Sequence, residues 1–400
     1  MSFQIALSGL NAATADLAVT SNNIANANTT GYKSSRAEFA DVFAAGADGI
    51  GSGVQLSTVR QEFSQGSVNF TERNLDLAIS GQGFYILNDG GNEVYSRAGA
   101  FGVNADGLVE NAQGQRLQAY PVLSDGSFNT GTLIDLELTN DVNPPVASTR
   151  VEMGVNLPAD AVPPVVSPFD PANPNTFSHS TSTTVYDSLG APHTSTYFFI
   201  KAPAANAWEM AMTMDGTQAG PPQPLEFSAD GRVTVPASLS ISMPPVNPGT
   251  GANDVQIDVD LSGTTQFGSR FAVNSLNPDG SAAGRLSNIE IDQSGIVYAR
   301  YTNGRASALG KVAIANFPNP EGLQQAGNTA WIETFASGEP VRGEAGSSSY
   351  GLIQAGALES ANVNLTDELV NMITAQRSFQ ANAQVISTMD QITQTIINIR

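Results

Sequence analysis

From Phe3 to Ile24, residues of one stripe recur at alternating steps of four and three: Phe3, Leu7, Leu10, Thr14, Leu17, Ser21 and Ile24. That spacing keeps one face of a helix turned toward a partner. A second stripe runs through Leu365, Leu369, Met372, Gln376, Phe379, Ala383 and Ile386. After one shortened step that shifts its phase, it continues through Met389, Ile392, Ile396 and Ile399. The pattern predicts a helix at each end, over 1–24 and 365–400. From Asn364 onward the only charges are Asp367, Glu368, Arg377, Asp390 and Arg400. With so few surface ion pairs, such helices are stabilised mainly by burying their apolar faces. They are expected to be mobile in a monomer and ordered in an assembly of copies; an intramolecular coiled coil is the competing arrangement.

Between the ends the period changes to that of strands. The first helix should stop between Asn22 and Gly31, where Asn, Thr and Gly accumulate. Ala44–Gly53 reads as a flexible loop, and alternation begins over Val54–Phe70. Three short units, Phe101–Val109, Phe227–Val233 and Ile291–Val297, each turn at Asp-Gly or Ser-Gly: Asp106-Gly107, Asp230-Gly231 and Ser294-Gly295. They predict hairpins with two-residue turns. Asn143-Pro144-Pro145 marks a boundary, and Pro163, Pro164, Pro168, Pro171 and Pro174 mark a linker or rigid surface loop. Ser/Thr-rich strands at Thr181–Tyr186 and Thr194–Ile200 suggest an inserted domain. The expected fold is mainly β with α-helical termini: a coiled-coil-like assembly domain (1–24 with 365–400), a connector region (25–70 with 330–364), an inner antiparallel β domain (71–144 with 286–329) and an inserted outer antiparallel β domain (145–285).

Charge narrows the function classes. The 37 acidic residues outnumber 17 basic ones, giving a net charge of −20, and the lysines are Lys33, Lys201 and Lys311. Nucleic acid and anionic membrane surfaces would repel such a chain. There is no cysteine for a disulfide or thiolate metal site. Met1–Leu10 lacks a basic leader pattern, and no stretch reaches the roughly 18 apolar residues of a membrane span. Export, if it occurs, would use a route without a cleavable signal peptide, and no membrane insertion is expected.

Catalytic patterns are weak. Gly81-Gln-Gly83 resembles half of a dinucleotide fingerprint, but a strand follows where a helix should begin, so it reads as a turn. His179 and His193 read as exposed strand residues without a metal partner. No nucleophile elbow, zinc-helix or phosphate-loop motif is present. Phe84, Tyr85, Tyr95, Phe101, Tyr120, Phe198, Phe199 and Trp331 read as core. The expectation is a protein that is not an enzyme and uses no cofactor.

The ends also carry specific strings: Ser8-Gly-Leu-Asn11; Ser21-Asn-Asn-Ile-Ala-Asn-Ala-Asn-Thr-Thr-Gly-Tyr-Lys33; and Glu368-Leu-Val-Asn-Met-Ile-Thr-Ala-Gln-Arg-Ser-Phe-Gln-Ala-Asn382. These resemble the terminal signatures of the bacterial flagellar rod and hook axial family. The positions that carry the likeness are Asn22, Asn23, Asn26, Asn28, Thr30, Gly31, Tyr32, Gln376, Phe379 and Asn382. It extends inward through Leu77–Tyr85, Ser96–Phe101, Phe317–Leu323 and Gly356–Asn362.

Rod members are generally shorter, so the insert at 145–285 resembles a hook-type member. The resemblance implies a structural subunit that self-assembles into a curved, flexible tube. That tube would be a universal joint, passing torque from rod to filament and unfolded export substrates through its bore. It implies as partners further copies of the chain, rod, hook-cap and hook-filament junction proteins, and the flagellar export apparatus. The implied location is extracellular, in the hook and basal body. Competing readings are a distal rod protein with an enlarged insert, and a secreted β-rich glycan-binding or hydrolytic protein whose region 145–285 would bind or turn over a ligand alone.

Overall fold

The structure, a computed structural model, describes residues 2–42, 51–138, 142–347 and 349–398. Positions 44–50 of the expected loop, Ile399, Arg400 and the side chain of Ile396 lie outside the described residues. The chain divides into two compact units, one of residues 1–140, 288–300 and 306–400, the other of residues 141–287 and 301–305.

The first unit contains both helices, α1 (Ser2–Ala25) and α2 (Leu365–Asn398). Asn364 starts α2 as its cap: its side-chain oxygen accepts from the Thr366 N–H at 3.0 Å, and Asp367 and Glu368 occupy the first turn, where the helix dipole favours acid. Helix α1 ends in the expected asparagine-rich stretch. There Gly31 adopts φ +69°, and a Cβ on it would sit 2.4 Å from the Ala98 amide nitrogen. A glycine is required at that point for both backbone angle and space.

Strands β1 (Ser35–Asp41) and β2 (Val54–Gln61) form a separate antiparallel ribbon with a bulge between Glu38 and Phe39. The rest of the unit is built on an antiparallel sheet. Its central strands are Ala306–Asn316, Arg116–Tyr120, Phe84–Asp89 and Asn92–Ser96. Side chains alternate along Phe84–Asp89: Tyr85 and Leu87 join one core with Leu77, Phe101 and Val312, while Phe84 and Ile86 join a second with Tyr95, Phe317 and Trp331. Both faces of the strand are covered, so it reads as a continuous apolar run.

In the second unit, two sheets enclose one core. Val151, Met153, Val155 and Leu157 from Arg150–Pro158 meet Tyr197, Phe199, Trp208, Met210 and Met212 from the facing sheet. The expected all-antiparallel pairing is not complete here. Arg150–Pro158 runs parallel to Asp258–Asp260 and Thr265–Phe267. Parallel neighbours need a long crossover, and the strands between positions 158 and 258 supply one. The proline-rich stretch is a surface loop within this unit, with Val162 and Val165 exposed.

The hairpin turns differ from the two-residue expectation. Gly107, Gly231 and Gly295 have φ of +85°, +75° and +82°, whereas Asp106, Asp230 and Ser294 are not among the positive-φ residues. Each glycine N–H instead bonds the carbonyl three residues back, at Asn104, Ser228 and Asp292. These are three-residue loops closed by a left-handed glycine. In the first and third, the leading side chain adds bonds: Asn104 Oδ1 accepts from Asp106 and Leu108, and Asp292 Oδ1 from Ser294 and Ile296. A side chain that caps its own turn removes the need for two left-handed residues.

Candidate assembly surface

The two terminal helices pair antiparallel: Gly9 lies against Asn382, and Asn23 donates to Glu368 Oε1 at 3.0 Å. The face that α1 buries is not the stripe expected from the sequence. Ala6, Ala13, Thr20 and Asn23 are buried, while Phe3 and Leu7 are 53% and 41% exposed and Leu10, Leu17 and Ile24 are half-buried. The buried positions form their own heptad of small and polar residues, in phase with Gly9. A Cβ at Gly9 would lie 2.7 Å from Asn382 Oδ1, so only a small-residue face lets the helices approach this closely.

Helix α2 divides its expected stripe. Met372, Phe379 and Ile386 are half-buried around the buried Ala375, whereas Leu365, Leu369 and Ile392 are 45%, 50% and 48% exposed. Gln376 is also exposed. Antiparallel register places the start of α1 near residue 389 of α2, so the last two turns or so of α2 extend beyond it. Of the two arrangements, the intramolecular one is present, along a seam of small residues, and it leaves Phe3, Leu7, Leu365, Leu369 and Ile392 exposed.

The signature asparagines work as backbone connectors. Buried Asn23 accepts from the Ser35 N–H at 2.9 Å and from Tyr32 Oη at 3.2 Å, and donates to the Ser35 carbonyl and Glu368. Asn26 donates to Asn22 and accepts from Thr29. Asn382 Nδ2 donates to the Ser378 carbonyl. Asn28 is exposed and Thr30 half-buried, with Thr30 lining a cavity of about 540 Å³ beside Asn22, Asn26, Tyr32 and Trp331.

A buried ionic clasp escaped the sequence reading. Lys33 Nζ lies 2.6 Å from Glu359 Oε1, with neither side chain exposed, and also donates to the Ser64 carbonyl. Arg97 Nη1 reaches Glu359 Oε2 at 3.2 Å, and the Gly66 N–H donates to Oε1. Asn362 next to it accepts from the Ser34 N–H and donates to the Glu62 carbonyl. The clasp joins the segment leaving α1, the segment leading to α2, and the sheet. Burial pushes the Lys33 amine below its ordinary range, with Glu359 opposing that shift. The only available signal was a lysine in a chain with three of them; all three are buried.

The second unit also corrects the histidine expectation. His193 is buried, with Nδ1 2.6 Å from Asp215 and Nε2 3.3 Å from Asp187. Burial disfavours its charge, but hydrogen bonds to the two carboxylates outweigh that and raise its pKa. His179 is half-buried, not exposed, and stacks on Phe271 at 4.6 Å. Among the described residues no cluster fit to hold a metal occurs. Gly81 and Gly83 make a positive-φ turn between strands. The aromatic residues expected in the core are all buried.

Family models match in order along the chain: "Flagella basal body rod protein" at 3–33, "Flagellar hook protein FlgE/F/G D1 domain" at 78–167, "Flagellar basal body protein FlaE D2 domain" at 156–281 and "Flagellar basal body rod FlgEFG protein C-terminal" at 354–399. The flagellar hook protein FlgE of Escherichia coli K12 is 35% identical over 428 residues, covering 100% of both chains. The chain belongs to the flagellar hook protein family. Flagellar hook protein FlgE of Salmonella typhimurium is likewise 35% identical over 412 residues, with 100% of both chains covered. The crystal structure of Helicobacter pylori flagellar hook protein FlgE2 shares the fold, with a TM-score of 0.53 at 14% identity over 73% of this chain and 100% of that one. As a hook-family chain it is a structural protein of the flagellar hook and basal body, not an enzyme. The rod-protein and glycan-binding or hydrolytic readings are not favoured.

Proposed function

We propose that the outward stripe of the terminal helices polymerises the chain into the hook tube. Phe3, Leu7, Leu10, Leu17 and Ile24 on α1, with Leu365, Leu369 and Ile392 on α2, would meet neighbouring copies, while Met372, Phe379 and Ile386 hold the pair together. The supporting observation is that Phe3, Leu7, Leu365, Leu369 and Ile392 remain exposed after α1 and α2 have packed on each other. A helix pair of this length exposing that much apolar surface is satisfied by association. The fourfold division into assembly helices, connector, inner and outer β domains belongs to this reading, as does a curved, flexible, extracellular tube. So do rod, hook-cap and hook-filament junction partners, and export without a cleavable signal. Nearly uncharged helices suit a bore that unfolded chains must traverse, because fixed charges there would hold passing polypeptides.

Electron microscopy of the purified full-length protein under polymerising salt, beside a chain lacking residues 1–24 and 365–400, tests the proposal. Curved tubes from the full chain and monomers from the truncated one are expected. Tubes from both, or straight rods from the full chain, would refute it.

A further inference from the structure

Phe335 is fully exposed, yet the turn that presents it is fixed by hydrogen bonds. Thr334 Oγ1 donates to the Gly322 carbonyl at 2.6 Å, and Asn319 Nδ2 donates to the Ala336 carbonyl at 3.0 Å. Ser337, which is buried, donates through Oγ to the Thr334 carbonyl at 2.8 Å and accepts from the Thr334 N–H at 2.9 Å. A Cβ at Gly322 would lie 2.5 Å from the Ala336 carbonyl carbon, so the turn also packs closely on its neighbour. A large aromatic side chain on a backbone already ordered loses little freedom on binding, which is the character of an interface anchor.

The second unit holds a cleft of matching character. Its proline-rich loop lies against the face of Pro192–Lys201 and Ala207–Met214 that is turned away from the main core, where Phe169 and Phe177 pack on Phe198 at 5.2 and 4.8 Å. Beside these rings is a cleft of about 550 Å³ whose apolar lining includes Pro163, Pro168, Phe169, Ile200, Pro203 and Pro222. An apolar cavity of roughly 150 Å³ is enough to take up a benzene ring. Val165 on the same loop, 97% exposed, continues the apolar surface. Lys201 also lines the cleft; its ammonium bonds the Ala202, Ala204 and Ala207 carbonyls and enters none of the ion pairs among the described residues. The Phe335 turn is flanked by the exposed Glu333 and Glu339, which complement that cation; Glu209 is the opposing charge on the cleft wall.

We infer that the Phe335 turn of one copy docks into the proline-lined cleft of another. A fully exposed Phe335 does not fill the cleft of its own chain, so both surfaces are left for neighbours. Two unlike patches on one chain make a head-to-tail contact, which leaves a free turn and a free cleft at the ends and so lets an assembly grow. The inference rests on the self-association proposed above and adds to it a contact outside the terminal helices.

The chain has no cysteine, so single introduced cysteines report the contact. Full-length Ala336→Cys and Pro221→Cys proteins, mixed under polymerising salt with a short bismaleimide, should give a mixed dimer on a denaturing gel. Neither protein alone should cross-link, and adding Phe335→Ala to the Ala336→Cys chain should remove most of the product. Phe335→Ala by itself should raise the critical concentration for tube formation, read by sedimentation, by about tenfold, as the loss of one anchor does. Its thermal melt as a monomer should match wild type, because the ring lies wholly in solvent. Absence of the mixed dimer, self-cross-linking of Ala336→Cys, or an unchanged critical concentration for Phe335→Ala would overturn the docking, and tubes formed alongside those results would leave the helix reading standing. A mixed dimer from chains that form no tubes would support the docking and sink the polymerisation reading instead.

Discussion

Glu359→Gln tests the clasp most directly. Glutamine keeps the volume and one carbonyl oxygen, so the Gly66 N–H retains an acceptor. It removes the negative charge between Lys33 and Arg97, whose side chains are 0% and 5% exposed. It also turns an amide NH₂ toward groups that can only donate. Removing one partner from a buried ion pair costs about 3–5 kcal/mol, because the other charge stays buried without compensation. The first unit has roughly 250 residues, for which each kcal/mol moves the midpoint by about 2–4 °C, so the transition should fall by about 10 °C. Scanning calorimetry of the monomeric protein reads it, with the second unit's transition as an internal reference that stays in place. Arg36→Gln, which removes a 65%-exposed side chain paired with Glu38, should shift the midpoint by less than about 2 °C. A Glu359→Gln shift no larger than that of Arg36→Gln would refute the argument that the clasp holds the segments together.

Other consequences follow from single sites. Stability of the second unit should be greatest in mildly acidic solution. The raised His193 pKa adds stability that is complete below the ordinary value of 6.5 and lost as pH rises through the folded value; Asp187, held down to about 2 by Thr250, Ala191 and His193 against its burial, adds stability that is lost as pH falls from about 4 toward 2. Urea titrations across pH should show both limbs, and His193→Gln should flatten the alkaline one; an unchanged alkaline limb would count against the carboxylate sandwich. Gly31→Ala should destabilise the first unit by about 3 kcal/mol or more, since the new Cβ meets backbone. Gly216→Ala, with φ +83° but nothing within 4 Å, should cost only about 1 kcal/mol, and equal costs in denaturant melts would remove the close-approach argument. Gly9→Leu should open the helix pair and speed chymotryptic cleavage at Phe379, whereas unchanged cleavage would mean that Gly9 does not limit the approach.

Periodicity was enough to place both helices, because a heptad written in Leu, Ile and Phe has no other stable reading. Alternation and turn glycines likewise marked the strands, and the terminal strings marked the family. Which stripe of α1 faces inward was not legible: Ala6, Gly9, Ala13, Thr20 and Asn23 carry little hydrophobic signal, and their advantage is closeness, which exists only once α2 is alongside. The clasp was hidden for the same reason. Lys33 and Glu359 are 326 residues apart, and nothing local distinguishes them from solvated charges. His193 looked exposed because its carboxylates arrive from neighbouring turns. The sequence alone determines local period, turn chemistry and kinship, which depend on near neighbours. Desolvation, charge pairing and close helix contact depend on groups distant in sequence, so only the tertiary structure decides them.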